Sequence, residues 1–195
     1  MLQIPLVRNM IAIMSDSIIG FIASLDHSIL TFRRGDELFL ADQPVSKLFV
    51  VLEGGIDLVR VQLDGRKVVL QRAREMQVLA EASVYADRYH CDAVAARPSR
   101  CLAVGQLDFL AAVEGNLPFA RMWQTHLARE LHRTRQLTEL LSRRTVRERL
   151  DGWLETSGNG LPEKGKWLDL ADALGVSPEA LYREIARRRG APIMR

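Results

Sequence analysis

The stretch Trp167-Leu-Asp-Leu-Ala-Asp-Ala-Leu-Gly-Val-Ser-Pro-Glu-Ala-Leu-Tyr-Arg-Glu-Ile-Ala186 decides the reading of the C-terminal part of this chain. It reads as two short helices folded across a tight turn. Leu170, Ala171 and Leu174 give the first helix an apolar face. Gly175 stands where the chain must reverse, and a residue without Cβ is comfortable there at positive φ. Ser177 is a good N-cap, Pro178 fits the first helical position, and Glu179 complements the positive end of the helix dipole. Val176, Leu181 and Ile185 carry the apolar spacing into the second helix. In a helix-turn-helix such a second helix, here residues 178–188, can lie in the major groove of DNA. The same pattern also fits an ordinary αα-hairpin.

Charge separates these readings. Residues 121–195 hold 15 Lys and Arg against 10 Asp and Glu, whereas residues 1–120 hold 12 against 14. The basic excess therefore lies with the candidate reader, as phosphate contact requires. Ser177, Glu179, Arg183, Arg187 and Arg188 are the candidate DNA-binding residues. The bland alternative for the arginines, a solvated helix face, stays open for Arg189.

The whole chain has 195 residues, room for one large domain or two small ones. Its hydrophobic content of 48% suits a protein with real cores, and a net charge of +3 permits a nucleic-acid partner without demanding one. Two cysteines, Cys91 and Cys101, are too few for a disulfide framework or a four-thiolate metal site, and they suit a reducing cytoplasm. Met10–Leu25 is apolar but broken by Ser15, Asp16, Ser17, Gly20 and Ser24. That makes it a packing or surface helix rather than a membrane span.

Between Ile29 and Leu110 the period switches to short strands: Ile29–Phe32, Glu37–Leu40, Lys47–Glu53, Gly55–Gln62, Lys67–Ala73, His90–Ala95 and Ser99–Gly105. Asp64-Gly65 marks a two-residue type I′ hairpin. This spacing of strands and turns predicts a β-barrel or sandwich. From Asn116 the pattern is helical. Phe119–Leu141 contains neither Gly nor Pro and spans about 35 Å if fully helical. Trp123, Leu127, Leu131, Thr134, Leu137, Leu140 and Leu141 recur along it at helical spacing with arginines between. This stripe fits pairing with a second copy of the chain, and it also fits packing on its own β domain. A further helix is expected at Thr145–Leu154, closed by Ser157-Gly-Asn-Gly160. Three segments result: 1–115, a β-roll with an N-terminal helix; 116–142, a connecting and dimerisation helix; and 143–195, the helical reader.

This order resembles the cyclic-AMP receptor protein and fumarate–nitrate regulator superfamily of bacterial transcription factors. The resemblance runs from Phe32 to about Arg189. It rests on Phe32-Arg-Arg-Gly35, Leu48-Phe-Val-Val-Leu-Glu-Gly54, Leu79-Ala-Glu-Ala-Ser-Val-Tyr85, Leu127-Ala-Arg-Glu-Leu131 and the helix-turn-helix. It implies an α+β fold with a cyclic-nucleotide-binding-like jelly roll and a homodimer on a pseudo-palindromic site in double-stranded DNA. RNA polymerase is a further implied partner, with no membrane. Glu179 and Arg183 match positions that read base edges in the family; an arginine can donate twice to guanine, and a glutamate accepts from cytosine. Pro178 stands where relatives often carry a third polar reader. Winged members follow the recognition helix with a β-hairpin, and Gly190-Ala-Pro-Ile-Met-Arg195 is too short for one, so a truncated or absent wing is expected.

The resemblance places an effector pocket at Glu81, Ala82, Ser83, Cys91 and Asp92. Nucleotide-binding members use a Gly-Glu pair for the ribose and an Arg-Ser pair for the cyclic phosphate. Here those pairs are Ala80-Glu81 and Cys91-Asp92, so the charge-assisted donor is gone and a carboxylate stands beside it. No cyclic nucleotide is expected. His90 and Cys91 are residue types that ligate haem or soft metals. As strand neighbours, however, they would point to opposite faces, and a buried apolar-like cysteine is the preferred reading. No cofactor or metal is therefore expected. An enzyme is not expected either, because G-x-x-x-x-G-K-[ST], H-E-x-x-H and G-x-S-x-G are all missing. The alternatives are a dimeric sensor or interaction protein with a vestigial reader, and a haem- or redox-responsive regulator using Cys91 or His90.

Overall fold

Lys47-Leu-Phe-Val-Val-Leu-Glu53 is apolar almost throughout, and the fold explains why. Alternate residues of a strand face opposite sides of its sheet, so an unbroken apolar run means burial on both sides. In the computed structural model, which describes residues 17–158 and 160–190, Phe49 and Val51 enter one core while Leu48 and Val50 enter another. Ser99–Gly105 behaves likewise, with Cys101 and Ala103 on one side and Leu102 and Val104 on the other.

The element order is α1 (Ile18–Ser24), β1 (His27–Phe32), β2 (Glu37–Phe39), β3 (Lys47–Glu53), β4 (Gly55–Val61), β5 (Lys67–Arg74), β6 (Gln77–Leu79), β7 (Asp92–Ala95) and β8 (Ser99–Gly105). Then follow α2 (Gln106–Gly115), α3 (Leu117–Ser142), α4 (Val146–Ser157), a 3-10 turn at Lys164–Lys166, α5 (Trp167–Leu174) and α6 (Pro178–Gly190). The strands form two four-stranded antiparallel sheets, ordered β1-β8-β3-β6 and β2-β7-β4-β5. Phe39, Phe49, Ile56, Leu58, Leu79 and Tyr89 fill the space between them. A second core lies on the outer face of β3 and β8, where Ile22 of α1, Phe109 of α2 and Phe119 and Trp123 of α3 are all buried. No described helix is long and apolar enough to cross a membrane.

The chain divides into two compact units, Met1–Leu127 and Ala128–Arg195, with the division falling inside α3. In the second, Leu150, Trp167, Leu170, Leu174, Leu181 and Ile185 form the core. Thr145 caps α4 through a reciprocal capping box with Glu148, which places the start of that helix.

Three expectations need correction. The Asp64-Gly65 hairpin is present but its turn is not type I′. Gly65 has φ +79 while Asp64 does not have positive φ, the Gly65 amide bonds to Gln62 O, and the Gln62 amide bonds to Arg66 O. That is a three-residue loop built on a type I turn, and the Asp64 carboxylate accepts from the Arg66 amide at 3.0 Å. The strand expected at His90–Ala95 begins only at Asp92, because Tyr89 is tied into the Asp42–Gln43 turn by both of its backbone groups. Strand β6 is new; three residues are too few to show a period. Of the N-terminal apolar segment, residues 17–25 give Ser17 as the cap of α1, and residues 10–16 lie outside the described part. Residues 191–195, within the segment on which a truncated or absent wing was expected, lie outside it too.

Candidate nucleic-acid interface and effector pocket

The turn between α5 and α6 follows from Gly175. Its φ is +60, its amide bonds to Asp172 O, and the Val176 amide reaches back to Ala171 O, the paired bonds of a Schellman ending. Ser177 then caps α6, its hydroxyl accepting from the Ala180 amide at 3.2 Å. The Glu179 carboxyl is held below its ordinary range by its own backbone N–H and by the Ser177 hydroxyl.

With Leu181 and Ile185 turned into the core, Glu179 and Arg183 stand exposed one turn apart on the opposite side of α6. Arg183 makes no hydrogen bond or ion pair among the described residues. The remaining arginines are otherwise employed. Arg187 donates twice to the Glu184 carboxylate, at 2.9 and 2.8 Å. Arg188 is partly exposed but engaged within its own chain. It donates to Glu184 at 2.8 Å, pairs with Asp151 of α4 at 2.8 Å and bonds to Arg147 O at 3.1 Å, so it ties α6 to α4. These guanidinium donors pull the Glu184 carboxyl down to about 2. Arg189 lies 5.0 Å from the centre of the Trp167 ring. Of the five candidate DNA-binding residues, Glu179 and Arg183 are thus the pair presented together; Ser177 is a cap, Arg187 a paired cation and Arg188 a strut.

Along α3, Trp123 is not on the outward stripe. It is buried in the core of its own β domain, where its indole N–H donates to the Tyr85 hydroxyl at 2.7 Å, and Leu127 packs partly against the same core. Leu131, Thr134, Leu137 and Leu141 are exposed. Thr138 belongs with them and was missed. Leu127, Leu131, Thr134, Thr138 and Leu141 follow the four-three spacing of a coiled-coil seam. Thr134 and Thr138 each donate their hydroxyl to the carbonyl four residues earlier, at 2.9 Å, and so satisfy it within the helix.

In the β domain, Ala80–Tyr85 forms a tight turn in which the Ser83 and Val84 amides bond to Ala80 O. Ala80 has φ +69, an angle that glycine adopts more readily than alanine. Glu81 accepts from the Gln71 amide group at 3.3 Å, and Ser83 shares a hydrogen bond with His90 Nδ1 at 3.0 Å. Arg60 of β4 donates to His90 O at 2.9 Å. Ala82 is exposed. Cys91 is 1% exposed inside the apolar core, and burial raises its thiol above the ordinary range. Cys101, also buried, is pushed up to about 11. Asp92 accepts from the Ala41 amide at 2.8 Å and so fastens a neighbouring loop. His90 is exposed and Cys91 buried, so they diverge as expected although neither is in a strand.

Residues 29–116 match the family of cyclic nucleotide-binding domains. Comparison with curated proteins finds no match. Among solved structures, FixK2 of Bradyrhizobium japonicum is similar at 20% identity, with 85% of each chain covered and a TM-score of 0.67. CLP of Xanthomonas campestris, described as a c-di-GMP responsive global regulator, is similar at 15% identity over 88% of this chain and 90% of that one, with a TM-score of 0.60. The catabolite activator protein of Thermus thermophilus is 23% identical over 87% of this chain and 81% of that one, with a TM-score of 0.54. The fold is therefore the one that the sequence resemblance implied: residues 29–116 match the cyclic nucleotide-binding domain family, and the chain shares its fold with these three solved structures.

Proposed function

We propose that this protein is a homodimeric transcriptional regulator that reads a pseudo-palindromic DNA site through α6. The observation that carries the reading is the exposed Glu179 and Arg183 pair, one helical turn apart near the N-terminus of α6 and beside a capped, glycine-based turn. An N-terminal segment of a recognition helix is the part that meets base edges in the major groove. The exposed seam of α3 joins two copies, which places two readers on half-sites about one turn, roughly 34 Å, apart. RNA polymerase is the further partner of such a regulator. The β domain takes no cyclic nucleotide in the family's manner, because a buried neutral thiol stands where the phosphate-binding arginine would be. A haem or redox role for Cys91 is disfavoured by the same burial, since the thiolate is the ligating and reacting form.

Selection of duplexes from a randomised pool, followed by gel shift, tests the reading. Arg183→Ala is expected to weaken the selected site by about 1–3 kcal/mol and to relax the preference at one position of each half-site. Equal weakening on selected and random DNA would make Arg183 a phosphate contact. A parent protein that selects nothing and shows no salt-sensitive binding would leave a dimeric sensor with a vestigial reader.

A further inference from the structure

Arg149 of α4 is used entirely on the main chain. Its Nε donates to Arg143 O at 2.9 Å, Nη1 to Leu174 O and Gly175 O at 3.0 Å each, and Nη2 to Leu141 O at 3.0 Å. These acceptors come from the last turn of α3, the link after it, the last residue of α5 and the turn that follows. Carbonyls at a helix C-terminus lack intrahelical donors and lie at the negative end of the dipole. One planar cation therefore serves the ends of two helices at once. Its own place is fixed by the capping box that starts α4, where Glu148 accepts from the Arg144 and Thr145 amides. The contact is close as well as polar: a Cβ added at Gly175 would lie 2.8 Å from Leu141 Cδ2 and 3.4 Å from Arg149 Nη1.

We infer that Arg149 is a positioning residue that locks the α5–α6 turn to the end of α3 and so sets the angle at which each copy presents α6. The consequence for DNA rests on the proposed dimeric reader; the lock itself does not. A lysine at 149 keeps the charge but lacks the planar fork that reaches carbonyls on several sides.

The lock is tested without DNA by single-molecule energy transfer in the full chain. Dyes are placed at Gln136→Cys on α3 and Ala186→Cys on α6, both exposed, with unlabelled chain in excess; the native thiols are buried and stay unlabelled. The parent is expected to give one narrow distribution, Arg149→Met a clearly broadened one, and Arg149→Lys an intermediate. An unchanged distribution in Arg149→Met overturns the inference. If that variant fails to fold, Arg149→Lys decides: broadening supports the lock, and a parent-like distribution overturns it. A second measurement uses selected duplexes whose half-site separation is varied by one or two base pairs. Arg149→Met should lose about tenfold of the parent's discrimination between separations while binding a single half-site within about twofold of the parent. Equal loss on every duplex would mark Arg149 as merely structural. A parent that binds no duplex sinks the DNA reading, while the transfer measurement still judges the lock.

Discussion

Gly54→Ala is expected to destabilise the β domain by about 2–6 kcal/mol, read as a fall in the urea midpoint without a change in slope. Two causes add. Gly54 has φ +90, an angle that costs a residue with a Cβ about 1–3 kcal/mol. A Cβ there would also lie 2.3 Å from Pro98 O, 2.5 Å from Ser99 Oγ and 2.8 Å from Ser99 Cα, and two of those atoms are backbone. Forcing them apart costs about 1–3 kcal/mol more, and it disturbs the buried Ser99 hydroxyl that accepts from the Gly55 amide at 3.0 Å. Gly65→Ala is the control. Gly65 has φ +79 but nothing within 4 Å of the added carbon, so it carries the angular cost alone, about 1 kcal/mol. Equal losses in the two variants would show that the close contact at Gly54 is without consequence.

Leu131→Glu is expected to abolish the proposed pairing of the chains while leaving each chain folded. Leu131 is 53% exposed and lies mid-seam, so nothing in its own chain depends on burying it. In a parallel pair of helices its counterpart meets it across the axis. Two opposed carboxylates there lose hydration and repel, at about 3 kcal/mol or more, which is at least a hundredfold in the dimer constant. Light scattering should report monomers where the parent gives dimers, with helical circular dichroism unchanged. Affinity for a two-half-site duplex should fall with it. A parent already monomeric at the same concentration would end the seam argument.

Much of this fold was legible because single residues carried unambiguous instructions. Gly175, Ser177 and Pro178 gave the turn and the start of α6, and Asn116 the start of α3 by accepting from the Phe119 amide. The misreadings of Arg188, Trp123 and Asp92 share a cause: a side chain's partner lies far away in sequence. Arg188 reads as a surface cation until Asp151 is brought beside it by the packing of α4 on α6. Trp123 fits the outward stripe by periodicity and is claimed instead by the β domain through Phe109 and Tyr85. Asp92 looked like an obstacle to a phosphate, and the Ala41 amide, fifty-one positions away, holds it. Thr138 could have been found from the four-three spacing alone. The Arg149 bonds had no sequence signal, since backbone carbonyls have no residue signature.

The composition of α3 sets how the protein responds to ions. The helix carries Arg121, Arg129, Arg133 and Arg135 against Glu130 and Glu139, so two copies paired as proposed would bring like charge together along one axis. Screening that repulsion favours assembly, whereas the same ions compete with arginines for phosphate. Raising salt should therefore tighten the proposed dimer in sedimentation while it weakens the proposed complex with DNA.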